Sequence, residues 1–316
     1  MVGVKNSPNS SPKLGTGELN KETKKDSCSS GKELKDYLKS DLTNLGTKVE
    51  SDNDYEGQTA VPKTVTVEVL IAVDTALYEK VTGYYHNGRW DRGLHNFGHP
   101  EEELKLYLRK FMSAVNNKFK DQFKKPKVKF HISGFIIGEP TKQFIVKPDG
   151  LNVYKTRDKM MDFFGKKTLK EKHPFDVALL LTGETKFESG HDGPEVYGFA
   201  EIGRACDYRV TSIGKNFNIA NVIAQDLGQF SGVKTAVHEF GHMLGAHHDG
   251  LMSSAKCCPD DGHIMSGQVY TDKNKGTDIY KKRSAYIWSK CSVKAILKFL
   301  QTATCLFNTP ATDPTR

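Results

Sequence analysis

No apolar run in the 316-residue chain approaches the 18 or more residues that a membrane-spanning helix needs. An arginine-rich arm is missing too. The 46 Lys+Arg and 38 Asp+Glu are mixed along the chain, so a net charge of +8 does not mark a dedicated nucleic-acid binder. Cysteine is sparse: six residues are too few for a disulfide mini-scaffold, although an even count suits a stapled secreted domain. Met1 to Ser10 carry no charged stretch followed by an apolar one, so no secretory leader is readable. Either the protein is cytosolic or its leader is missing from this chain. The adjacent pair Cys257 and Cys258, and the chemistry below, favour a secreted protein whose leader is missing. What the chain does have is a 37% hydrophobic fraction, enough for a packed core in one large domain or two small ones.

Residues 1–62 read as a weakly structured N-terminal segment. They open on Ser, Asn, Pro and Gly and continue with few large apolar groups, too few to offset the entropy of ordering. Leu34, Leu38 and Leu42 recur every four residues and suit a short helix, and 51–57 reads as a linker. Composition shifts near Lys63. The β-branched stretch 64–74 predicts a central strand. In 101–123, Leu104, Leu108, Phe111, Val115 and Phe119 form one helical stripe behind an acidic start, where the helix dipole favours negative charge. Strands are predicted over 127–138, 175–183 and 196–203, the last with glycines that hint at an edge, and a helix over 157–167. This alternation predicts an α/β domain with a mostly parallel sheet.

The chemistry is concentrated in residues 230–250. Ser231 is a candidate helix cap, and Val233, Val237, Phe240 and Leu244 follow as an apolar stripe. His238 and His242 lie four apart, so both rings project from one side and can reach a single zinc ion. Glu239 is offset around the helix, placed to approach water at the metal instead of the metal itself. Gly245 can end the helix in a left-handed conformation and return His248 as a third nitrogen ligand. Three histidines leave a fourth position for water, as a catalytic zinc requires. These five fixed positions occur by chance in fewer than about one in ten thousand such chains, which disfavours an amphipathic helix with ordinary surface histidines. His247, next to the third ligand, reads as ordinary. The lysine-rich run 118–130 suits a solvated surface better than a binding site for acidic surfaces or glycans. Asn9 begins a glycosylation triplet.

At these residues the sequence resembles the metzincin zinc endopeptidases. HEFGHMLGAHHD (238–249) matches HExxHxxGxxHD at every fixed position, and Asp249 points to the adamalysin, or reprolysin, branch. GHIMSG (262–267) supplies Met265 as the family's methionine turn, a hydrophobic floor beneath the metal and not a ligand. The stretches FSGVKTAVHEFGHMLGAHHDG, CCPDDGHIMS and WSKCSVKAILKFLQTATCLFN resemble salivary and venom metalloproteases of arthropods such as ticks. The resemblance covers roughly 63–308 and is dense after about 195.

It implies a metzincin catalytic domain over 63–308, with 309–316 as a tail and 1–62 as a linker or propeptide remnant. The implied fold is α/β: a twisted five-stranded mixed sheet with helices, and a small C-terminal subdomain below the zinc cleft. An antiparallel edge strand within 196–203 would pair with substrate, and a pocket behind the methionine turn, lined from about 262–290, would set specificity. One catalytic Zn2+ is implied; calcium is left open. By the same analogy Cys206 bridges Cys305, and Cys291 pairs with Cys257 or Cys258. The remaining member of that pair has Cys28 as a candidate partner, because His263 stands where a family cysteine often precedes Ile264. A propeptide thiolate can silence such enzymes, but the DSCSSGK context of Cys28 does not match the usual inhibitory motif.

The function implied is a secreted, monomeric zinc endopeptidase. It would cleave extracellular proteins, matrix or clotting proteins among them, with Glu239 as general base and no nucleic-acid partner. The alternatives are a catalytically silent binding toxin or inhibitor on the same fold, weakened because no site residue is lost, and an intracellular peptidase.

Overall fold

The computed structural model describes residues 60–83, 100–165, 174–188, 196–206, 208–210, 216–218, 220–251, 262–267 and 283–310. All of them fall in the second of two units, Tyr55–Arg316. The predicted helix at Leu34–Leu42 and the 51–57 linker lie outside the described residues, as do Cys28, Cys257 and Cys258.

The strands are β1 (Thr64–Val73), β2 (Lys127–Ile137), β3 (Leu151–Asn152), β4 (Val177–Thr182), β5 (Phe187–Glu188), β6 (Gly198–Ala200), β7 (Tyr208–Val210), β8 (Asn216–Asn218) and β9 (Asn221–Gln225). The α-helices are α1 (Thr75–Thr82), α2 (Pro100–Lys120), α3 (Val153–Phe164), α4 (Val233–Met243) and α5 (Lys290–Leu300). Five strands form one mixed sheet in the order β2-β1-β4-β9-β6. All neighbours are parallel except β6, which closes the order antiparallel to β9. β3 pairs with β5, and β7 with β8, in two small separate sheets.

The apolar continuity of β1 and β4 has a direct cause: both faces of the sheet are covered. Val65, Val67, Val69, Ile71 and Val73 point into one core with Leu179, Val222, the α2 stripe and Phe240. Leu70, Ala72, Ala178, Leu180 and Ile223 point into a second, with Met160 and Phe164 of α3. Alternate side chains thus serve opposite layers, as the strand period of two requires. Leu104, Leu108, Phe111, Val115 and Phe119 are all fully buried, so the stripe read from the sequence is the face α2 turns to the sheet. The helix predicted over 157–167 begins earlier, at Val153, because the Asn152 side chain accepts from Lys155 N at 3.0 Å and caps it there.

Candidate active site

A chain of aromatic rings connects the sheet to α4. Phe119 lies 4.7 Å from Phe130, and Phe130 lies 4.5 Å from Phe240 on α4. Trp288, 4.8 Å from Phe119, brings in the segment before α5. Against Trp288 the helix can present only a glycine: a Cβ on Gly241 would stand 2.5 Å from Met265 Sδ and 2.8 Å from Trp288 Cζ3. Fully buried Met265 therefore packs against the helix turn that carries His238 and His242.

Ser231 does not cap α4. The cap position is Gly232, which makes no side-chain cap bond. The Ser231 hydroxyl instead donates to Asp226 Oδ1 at 3.0 Å and accepts from Leu227 N at 2.9 Å. The Leu227 amide occupies the hydroxyl as acceptor and fully buried Asp226 engages its proton, so both roles are spent on the loop before the helix. The other Asp226 oxygen accepts from Tyr107 Oη at 2.7 Å, and Tyr107 Oη accepts in turn from Phe230 N at 2.8 Å. Burial and the Asp226 carboxylate push the Tyr107 phenol far above its ordinary pKa, so it stays a donor. Gly228, Gln229 and Phe230 all have positive φ, a strained reversal held by this cluster just before α4.

At its other end α4 stops after Met243, and Gly245 takes φ +96°. Its amide donates to His242 O at 2.8 Å, and Ala246 N donates to Gly241 O at 2.9 Å. The loop after β6 supplies further donors: Gly203 N to His242 O at 2.9 Å and Arg204 N to Met243 O at 3.1 Å. The last carbonyls of the helix are thus satisfied while the chain turns sharply. A Cβ on Gly245 would lie 2.9 Å from Phe299 Cβ, so α5 packs directly on this turn.

The reversal returns His248 to the two helix histidines. His248 Nε2 lies 3.1 Å from His238 Nε2 and 3.0 Å from His242 Nε2. His238 Nδ1 meets the Ile264 carbonyl at 2.6 Å, and His242 Nδ1 meets the Ala246 carbonyl at 2.7 Å. A carbonyl only accepts, so both Nδ1 atoms carry the proton and both Nε2 atoms present lone pairs. One proton on His248 could bridge one of these pairs but not both. A divalent cation satisfies all three nitrogens, and tetrahedral zinc with Zn–N of about 2.05 Å sets ligand nitrogens about 3.3 Å apart, close to what is found. The donor set therefore fits the metal that the sequence implies. Burial lowers the pKa of His238 to about 4 and that of His242 to about 3, which keeps both rings neutral and ready to ligate.

Glu239 is buried, with 6% exposure, and packs on the edge strand: a Cβ on Gly198 of β6 would stand 2.6 Å from Glu239 Oε1. Burial pushes its carboxyl well above the ordinary carboxylate range. Asp249 is not part of the histidine cluster. Its Oδ1 accepts from Ser289 Oγ at 2.6 Å and Ser292 Oγ at 3.1 Å, and its amide donates to Met265 O at 2.9 Å. It fastens the third histidine, the methionine turn and the start of α5 to one another. Cys206 and Cys305 form a disulfide across 99 residues of chain, and Cys291 is in a second disulfide whose partner lies outside the described residues.

The sequence reading missed Asp226, Tyr107, Gly198, Gly241 and Ser289. The turn-rich run QDLGQFSG signals a loop around Asp226, but nothing local signals its bond to Tyr107, 119 residues away. Gly198 and Gly241 carry no pattern of their own, since each is required by a neighbour from another element.

Residues 106–249 match the family model described as Metallo-peptidase family M12B Reprolysin-like. Among curated proteins, the chain is 29% identical over 273 residues to "A disintegrin and metalloproteinase with thrombospondin motifs like" of Bombyx mori, covering 80% of this chain and 34% of that protein. It is 29% identical over 225 residues to "Venom metalloproteinase 3" of Eulophus pennicornis, covering 66% of this chain and 47% of that one. "Venom metalloproteinase 1" of the same organism is 28% identical over 216 residues, covering 63% and 43%. The chain thus spans between a third and a half of the curated relatives it matches. With the mixed sheet, the three converging histidines and the matched stretch lying on one chain, the protein resembles the reprolysin-like metallopeptidases of family M12B and the venom metalloproteinases.

Proposed function

We propose that the protein is a secreted, monomeric zinc endopeptidase that hydrolyses peptide bonds of extracellular proteins, with Glu239 as general base. The observation that carries this reading is the convergence of three imidazole Nε2 atoms, two of them from the helix that also carries Glu239. When bound, zinc supplies Lewis acidity, polarising a carbonyl and lowering the pKa of water towards about 7. The rest falls to the chain's own groups. The Ile264 and Ala246 carbonyls hold His238 and His242 in the tautomer that offers Nε2. Glu239 takes the proton of the attacking water and later passes one to the leaving amine. Burial raises its proton affinity and a nearby divalent charge lowers it, so the two oppose each other and tune the base. β6, the edge strand against which Glu239 packs, has an outer side on which an extended substrate can add as a further strand. Matrix and clotting proteins are the substrates that the family likeness suggests.

Glu239→Ala tests the mechanism. The variant is expected to retain zinc, measured by elemental analysis, and to lose casein or gelatin cleavage by roughly 10²–10⁴-fold. A variant that cleaves as well as the parent overturns the role of Glu239. Wild-type protein that stays metal-free in added zinc overturns the whole reading.

A further inference from the structure

Positive charge gathers at the corner where α2 turns into β2. Lys120, Lys124, Lys125, Lys127 and Lys129 are all exposed there. The parallel pairing of β1 with β2 adds a sixth lysine. The Lys63 carbonyl accepts from Lys127 N at 2.9 Å, which sets exposed Lys63 beside the start of β2. Asp121 is the one acidic residue in 118–130. Six lysines less one aspartate leave five of the chain's eight excess positive charges at this corner, so its partner must be an anion. Lysines elsewhere find carboxylates: Lys105 pairs with Glu101 and Glu102, and Lys147 with Glu184. Among the described residues no ion pair neutralises any of the six. In the strand ladder the first carboxylate beyond Lys129 is Glu68, opposite His131, and it is buried with its Oε2 on Asn308 Nδ2 at 3.0 Å. Other elements fix the backbone beneath these charges. Asn116 of α2 brackets Phe130, accepting from its amide at 2.8 Å and donating to its carbonyl at 2.9 Å. Gln122 does the same to Trp288, at 2.6 Å and 2.9 Å, and Phe123 is buried between Phe119 and Trp288. A run that reads in sequence as solvated surface is therefore a fixed array of ammonium groups, enlarged by a lysine from another strand.

Resting on the secreted reading above, we propose that this corner binds sulfated glycosaminoglycan chains, at a site separate from the histidine cluster. The stretch KKPKVK (124–129) is a lysine-rich hexamer of the kind that forms heparin patches. Lys127 and Lys129 project from one face of β2 about 6.6 Å apart, and the turn before them carries Lys124 and Lys125. Ammonium groups that replace the counterions of a dense polyanion release them, so affinity builds from several weak contacts made together. Because the backbone is already fixed, little further ordering is needed when the polyanion binds. A nucleic-acid site would add arginines or stacking aromatic rings, and none is exposed among these residues. A membrane site would add an apolar anchor, but Phe119, Phe123, Val128 and Phe130 all point into the core. Bound in this way, the enzyme stays on sulfated matrix chains among the extracellular proteins it would cleave.

The test is the binding of fluorescein-labelled heparin to the Glu239→Ala protein, read by anisotropy, so that turnover plays no part. Binding is expected at about 0.15 M salt and is expected to weaken steeply as salt rises. Lys124→Gln, Lys125→Gln and Lys127→Gln together are expected to weaken it roughly 10–100-fold. Removing the same charge at Lys155, Lys159 and Lys298, exposed on α3 and α5, is expected to change it less than about threefold. Thermal melts check that both triple variants fold, and a comparison of heparin with desulfated heparin on the unsubstituted corner needs no lysine variant. Absent binding, equal losses in the two triple variants, or equal affinity for desulfated heparin overturns the inference. A DNA duplex or a phosphatidylserine vesicle that binds as tightly as heparin overturns it too. All of these outcomes leave the peptidase reading intact. Heparin binding with the expected lysine dependence supports the inference even if the parent cleaves nothing and the peptidase reading falls.

Discussion

His238 and His242 are neutral in the fold because burial disfavours their charged forms, and each spends its one proton on a backbone carbonyl. This has a consequence for pH. In the unfolded chain both titrate near 6.5, while in the folded chain they resist protonation down to about 4 and 3. Between those limits the unfolded chain binds more protons, so stability rises with pH and falls on acidification. Chelator-treated protein is expected to lose on the order of 2 kcal/mol per histidine between pH 6.5 and pH 4. Urea midpoints at pH 7 and pH 5 measure this; equal midpoints would contradict the burial of the two rings. At this scale the sequence was informative about which residues meet, since spacing alone put two imidazoles on one helix side. It was silent about Ile264 and Ala246 as carbonyl acceptors, because any residue type supplies a carbonyl and only the folded path brings those two to the rings.

Helix α4 is held by other elements and not by its own ends. The N-terminal end has no side-chain cap, and the C-terminal end is closed by Gly203, Arg204, Gly245 and Ala246. Its middle must stay slim where Met265 and Trp288 press on it. In isolation Ala in place of a helix glycine would stabilise by about 1 kcal/mol. At position 241 the added methyl meets a buried sulfur at 2.5 Å and an indole edge at 2.8 Å, and neither can move without disturbing the histidine turn. Gly241→Ala is therefore expected to destabilise the protein by roughly 1–3 kcal/mol. A thermal melt decides between the two, since a raised Tm would mean that helix propensity outweighs packing. The end of the helix at Gly245 was readable in the sequence as a left-handed stop. The serine cap was misread, because the Leu227 amide engages the hydroxyl oxygen and Asp226 holds its proton, an arrangement only the folded loop creates.

Across the molecule, the loop after β6 is fastened to the chain end beyond α5 by the Cys206–Cys305 disulfide. That loop also closes α4, so the bond supports the end of the active helix. Bridging 99 residues removes much chain entropy from the unfolded state. The paired change Cys206→Ser with Cys305→Ser is expected to cost about 2–5 kcal/mol, read as a lowered denaturant midpoint. An unchanged midpoint would mean that packing of α5 on Gly245 suffices without the bond. In the sequence Lys118 was one lysine in a run that reads as solvated surface, and the fold lays its Nζ 4.7 Å from the ring of exposed Tyr286.

By itself the sequence determined the periodic features: a sheet core with both faces covered, the α2 stripe, and the spacing that lets three histidines reach one point, with the glutamate and glycine of the same stretch. These are local patterns, imposed by the periods of strand and helix and by the reach of an imidazole. Tertiary structure alone decided the contacts whose partners are far apart in the chain. Asp226 with Tyr107, Gly198 against Glu239, and Asp249 with Ser289 depend on where separate elements come to rest, and packing settles that, not periodicity.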